Sequence, residues 1–254
     1  MPDWIFTWLI AVVATALLLP STRWIHKHLQ GLGLLITNNP QGAVMIYYVA
    51  LLPGVILREG CQWLIAKLLR VKVKKFALWP EKQKRGEIRL GLVEIDDMTD
   101  SLRATAVALI PTVLGIMVIA AISGGFKTQA LAAAVTTGDT PTLLAGLHDF
   151  LSTTDFWLWI YLIFAIANAM LPEEHDRINW WILLGAIAAV VVALLVLDLG
   201  ILLQAGLNGP LAQLANTMSL VLSLSLLIDV FFIVLISVAE WIFSRALNRE
   251  VEYK

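Results

Sequence analysis

The chain has 254 residues, of which 59% are hydrophobic and 15% charged, and its mean hydropathy is +0.81. That composition excludes an ordinary soluble domain and requires several apolar helices packed in a bilayer. A net charge of −1 offers no global attraction to nucleic acid, and the single cysteine, Cys61, excludes an intramolecular disulfide.

The first apolar run, Trp4 to Leu19, reads as a retained membrane helix. No basic region precedes it, and its exit, Pro20-Ser21-Thr22-Arg23-Trp24, lacks a small-x-small cleavage pattern. Ser21 to Gln41 is polar and weakly amphipathic, which predicts a connection lying at the interface. A second helix is predicted from Ala43 to about Leu69, with Lys67 and Arg70 protruding at its end. Val71–Leu78 and Glu87–Ile95 then alternate apolar and polar residues on either side of a charged, Gly-containing turn. That pattern predicts a small β-hairpin or sheet outside the hydrocarbon core, with a solvated basic linker as the alternative.

Asp97 to Asp100 can cap a third helix, Leu102 to about Ile122, which carries Pro111 in mid-span. Phe126 to Asp155 reads as a short amphipathic helix with a loop at the surface. A fourth helix spans Phe156 to Met170, and the polar turn Glu173–Arg177 leads to a fifth, Trp180 to about Gln204. The sixth, about Leu211 to Leu247, contains Asp229 and Glu240. Ten tryptophans, several near the ends of apolar runs, fit an interfacial aromatic belt. The expected fold is an all-α polytopic membrane protein of about six transmembrane helices with a small cytoplasmic β-hairpin or sheet insertion. Its parts are an N-terminal helix and interfacial segment (1–41), a membrane core (42–181) that includes the β-element (71–95), and C-terminal transmembrane helices (182–254).

Orientation follows the lysines and arginines near helix ends. They are densest between Lys67 and Arg103, which places that segment in the cytoplasm. The stretch 126–155 holds only Lys127, and the turn near Asn208 holds no charge, so both are expected outside. Arg245, Arg249 and Lys254 return the tail to the inside. Six crossings with both termini cytoplasmic, in a plasma membrane, satisfy these rules, although Arg23 and Lys27 then fall outside.

The chemistry concentrates in Pro53–Lys67, PGVILREGCQWLIAK, where Arg58, Glu59, Cys61 and Gln62 interrupt an apolar run. A charge at membrane depth is costly, so it faces the bundle interior and marks a site or a buried pair. In the zinc-protease motif H-E-x-x-H, two histidines at i and i+4 bind the metal from one helix face while the glutamate acts as general base. Laid over this chain, the motif falls on Arg58-Glu59-Gly60-Cys61-Gln62. The base position is kept and both ligand positions are lost, since arginine does not deprotonate and a glutamine amide is a poor zinc ligand.

Over roughly Gly42 to Trp181 the chain resembles the site-2 protease family of intramembrane zinc metalloproteases. In that family a helix carrying H-E-x-x-H is followed by a β-rich cytoplasmic segment, and a later helix supplies an aspartate within an Asn-Pro-Asp-Gly signature. Pro53–Lys67 matches the first helix, Lys72–Ile95 the strands, and Asn168, Pro172 and Asp176 the second motif, with Pro172 one place late and Arg177 in place of glycine. The resemblance puts Arg58 and Gln62 in the histidine positions, Glu59 at the base and Asp176 at the third ligand. It implies a core that has lost its metal, with no catalytic residues, no metal and no cofactor expected. The role it implies is that of a pseudoprotease which binds or holds a membrane partner, or is a subunit of a membrane complex. Its expected surroundings are the lipid bilayer and a membrane-protein partner, with no nucleic acid.

Each residue also has a plainer reading. Arg58 and Glu59 can be structural ion pairs with other helices, Asp176 being the first partner and Asp229 the second. Cys61 can be a small packed hydrophobe, and His175 a solvated turn residue. A metal site built from Glu59, Cys61, His175 and Asp176 is disfavoured, because Glu59 and Cys61 point about 200° apart on a helix. Two other functions stay open: an active intramembrane metalloprotease with an atypical metal site, and an ion-coupled transporter using Asp198, Asp229 or Glu240.

Overall fold

The computed structural model describes residues 3–77, 79, 81–82, 88–89, 92–96, 98–124, 140–152, 154–171, 209–247 and 249, with scattered positions between 181 and 206. The helices are α1 (Asp3–Thr37), α2 (Pro40–Leu68), α3 (Ser101–Ser123), α4 (Thr140–Leu151), α5 (Phe156–Met170) and α6 (Pro210–Leu247). Among the described residues, α1, α2, α3 and α6 are long and apolar enough to cross a membrane, and α5 is a shorter apolar helix. Their outward faces are lined by exposed side chains such as Leu9, Val13, Met117, Leu227 and Val234. In water such faces would be a liability, whereas in lipid they are the norm. The protein is an integral membrane protein, and its described residues are all-α but for two small sheets. The predicted fifth helix, Trp180 to about Gln204, lies largely outside the described residues, as does the turn Glu173–Arg177.

α1 corrects the first expectation. It continues for 35 residues through Pro20, and the stretch 21–37 belongs to it instead of lying at the interface. Proline removes one backbone donor, but the buried stripe Ala11, Ala14, Leu18, Thr22, Ile25 and Leu29 runs on at helical spacing across that point. Packing of one continuous face outweighs the lost bond. α2 starts at Pro40, three residues ahead of its predicted start, because Asn39 caps it. The Asn39 side chain accepts from the Gln41 backbone N–H at 2.9 Å, and Pro40 occupies the first turn, where no donor is needed.

Contacts between helices fix their directions. α1 and α2 form an antiparallel hairpin, with Gly33 against Ala43 and His26 edge-on to Tyr47. α2 and α5 run parallel: Tyr161 Oη donates to the Val49 carbonyl, and Gly54 faces Ala165 and Ala169. A Cβ built on Gly54 would overlap the Ala165 carbonyl oxygen and lie 2.6 Å from Ala169 Cβ, so only glycine permits this approach. Likewise Gly115 of α3 sits against the Met170 side chain, and Thr112 Oγ1 donates to the Met170 carbonyl at 2.8 Å. α5 and α6 are antiparallel, joined by the stacked rings of Phe164 and Phe232 and by Asn168 with Asp229.

α1 and α6 run side by side in the same direction. Ala11, Ala14 and Leu18 pack on Leu222, while further along both helices His28 Nδ1 bonds Glu240 Oε2 at 2.8 Å. Asp3 and Leu247 therefore lie at opposite ends of the bundle. The expectation that both termini share one side rested on six crossings, whereas among the described residues four helices are long and apolar enough to cross.

The predicted strands are present. β1 (Val73–Ala77) pairs antiparallel with β4 (Leu92–Ile95), and β2 (Glu81–Lys82) with β3 (Ile88–Arg89). The β1–β4 pair is seated on the end of α2 and the start of α3 through Ala66, Val71 and Val107. The chain then turns back along α2, with Phe76 near Trp63 and Trp79 near Tyr48. The sheet segment thus reaches from the end of α2 to its first half, instead of projecting away from the bundle as an external hairpin would.

Candidate functional site

Gly54, Arg58 and Gln62 follow one another at i, i+4 and i+8, so they share the face of α2 that meets α5. Because the two helices are parallel and Gly54 is level with Ala165 and Ala169, Arg58 and Gln62 stand at and beyond the last turn of α5. Arg58, Glu59 and Gln62 are all buried, at 7%, 5% and 6% exposure, and each has partners in the protein. Cys61 is buried as a free thiol. The predicted charges thus lie inside the bundle. Asp176, Pro172 and His175, which the resemblance would bring to this point, lie outside the described residues, as does Asp198.

The last turn of a helix leaves its carbonyls without backbone donors. α5 resolves this with side chains from two neighbours. Thr112 of α3 serves the Met170 carbonyl, and His26 of α1 the Asn168 carbonyl, at 3.1 Å from Nε2. A carbonyl only accepts, so Nε2 of His26 carries the proton. The Asn168 side chain, 2% exposed, donates from Nδ2 to the Phe164 carbonyl at 3.0 Å and to Asp229 Oδ1 at 2.7 Å. Asp229 is fully buried, one turn after the buried Ser225 on α6.

Asn168 and Asp229 therefore meet, which the sequence did not predict; there Asp229 was the second candidate partner for Arg58. His26 was missed because it fell within a stretch read as interfacial. Its spacing from Thr22, one turn along the buried stripe, was the available signal. Glu240, a candidate transporter acid, is held by His28, whose ring stacks on Trp24 at 3.9 Å between centroids. Among the described residues, no three His, Cys, Asp or Glu side chains gather as metal ligands. Compared with known proteins, the chain matches no family model, no curated protein and no solved structure.

Proposed function

We propose that this chain is a catalytically inactive, site-2 protease-like membrane protein that binds or holds a membrane-embedded partner. The observation that carries this reading is the burial of Arg58 and Gln62, with Glu59 beside them, in the turns of α2 that follow its close approach to α5 at Gly54. A guanidinium there occupies the place of a metal cation. The order of features supports the same reading: a motif helix, a strand pair, then a later helix with Asn168 in its last turn. In this reading Asp176, the third-ligand equivalent, is neutralised by Arg58 through a bidentate pair.

Metal content tests it directly. Elemental analysis of the purified protein is expected to find no stoichiometric zinc. One zinc per chain, lost on Asp176→Ala, would return the protein to the active metalloproteases. The converse test is stricter. Arg58→His combined with Gln62→His rebuilds the ligand pair at i and i+4, and the folded double variant is expected to gain one zinc that Asp176→Ala removes. A folded double variant with no zinc would refute the protease-like site.

In the membrane, we place the basic end of the bundle, with Lys67, Arg70, Lys72, Lys74 and Lys75, in the cytoplasm of a cell with this protein in its plasma membrane. The N-terminus shares that side, and the end of α6 faces away. Cysteines introduced at Lys84 and Ser244 are expected to react with impermeant reagents from opposite sides, with one at Thr137 matching Ser244. Native Cys61 is buried and stays silent in this assay. Labelling of Lys84 and Ser244 from one side would refute the arrangement.

A further inference from the structure

The amide of Asn168 spends both of its N–H donors, one on the Phe164 carbonyl and one on Asp229 Oδ1. Its own Oδ1 is buried and makes no hydrogen bond, and neither does Asp229 Oδ2. Two acceptors are thus left buried where no described protein donor reaches either. Acceptors cannot satisfy one another, and such groups are kept in protein cores only when something supplies the missing hydrogen. Both atoms belong to planar groups already joined by one hydrogen bond. A single hydrogen on Asp229 Oδ2 turns one orphan into a donor and has the other for its acceptor.

We propose that Asp229 and Asn168 form a proton-binding site, in which one proton between Asp229 Oδ2 and Asn168 Oδ1 closes an acid–amide ring that ties α6 to the last turn of α5. The proton adds to the carboxylate and leaves with no other bond changed. An ionised Asp229 would instead keep a full charge at zero exposure on one neutral hydrogen bond. A metal cation asks for a cage of oxygens, and the backbone carbonyl of Asn168 is already taken by His26.

Among the described residues, the histidines and charged groups on the packed helices are otherwise engaged or exposed, and Cys61, Tyr47 and Tyr48 of α2 are buried. His26 of α1 is on that carbonyl, and His28 is on Glu240 of α6. Arg23 and Lys27 of α1 and Arg103 of α3 are exposed. Arg58 and Glu59 of α2 have partners of their own, and Tyr161 of α5 donates to Val49. The site stands independently of the protease-like reading.

Infrared spectroscopy of the full-length protein in liposomes at neutral pH reads the proton. A carboxylic-acid C=O band is expected that shifts on isotopic labelling of aspartate carboxyls and disappears in Asp229→Asn. In Asn168→Leu the band is expected to persist and move to higher frequency, because the acid carbonyl loses the amide donor. If Asp229→Asn fails to fold, the labelled wild type compared with Asn168→Leu still decides. Absence of an aspartic-acid band in the wild type, or a band unmoved by Asn168→Leu, overturns the site. Loss of the band when sodium chloride replaces choline chloride would overturn it in favour of a metal-ion site.

Discussion

Replacing Gly54 by leucine is expected to prevent α2 and α5 from packing, so that the protein is recovered only as aggregate or as a loosened bundle. Even alanine there is expected to cost about 1–3 kcal/mol, the usual range for forcing atoms into a filled core, since its Cβ would overlap backbone that cannot rotate away. Gly60, six residues along the same helix, gives a matched control. A Cβ there meets nothing within 4 Å, so Gly60→Ala is expected to stabilise by about 1 kcal/mol, the helix-propensity difference between the two residues. Thermal unfolding in detergent reads both. Equal effects at the two glycines would show that the close approach of α2 to α5 does not exist.

Arg58→Met is expected to destabilise the protein by about 3–5 kcal/mol, as is typical when one member of a buried ion pair is removed. Arg58 is 7% exposed on a helix with apolar neighbours, and under the proposed pairing its removal leaves Asp176 as an uncompensated charge. Under the proposed pairing, Asp176→Leu costs a similar amount, and the double variant recovers most of the loss because a hydrophobic replacement of both partners is close to neutral. A double-mutant cycle separates the pair from two independent sites. Additive losses would exclude Asp176 as the partner.

What the sequence disclosed about this fold depended on how local each determinant was. α5 was legible to the residue because an apolar run sits between Asp155 and Leu171-Pro172. Arg58, Glu59 and Gln62 stood out because charge and amide within an apolar run have few explanations. α1 was misread because Pro20 was taken as a break, when the stripe from Ala11 to Leu29 crosses it without losing register. The bond from Asn168 to Asp229 joins residues 61 apart and leaves no local trace. The side on which the C-terminus falls is not legible from Arg245 and Arg249, because crossing parity is a sum over the whole chain.

The parallel pairing of α1 with α6 has a consequence for biogenesis. α1 finds its partner α6 only after the helices between them in the chain are made, so α1 must wait in the bilayer with its Ala11–Ala14–Leu18 face turned to lipid or to a chaperone. Asn168 waits too. At about 5–20 residues per second, the 61 residues that separate it from Asp229 take roughly 3–12 s to synthesise. For that interval a polar amide stands in the membrane without its acid partner. A chain arrested before Asp229 would therefore present an unfinished polar contact to the machinery that removes incomplete membrane proteins.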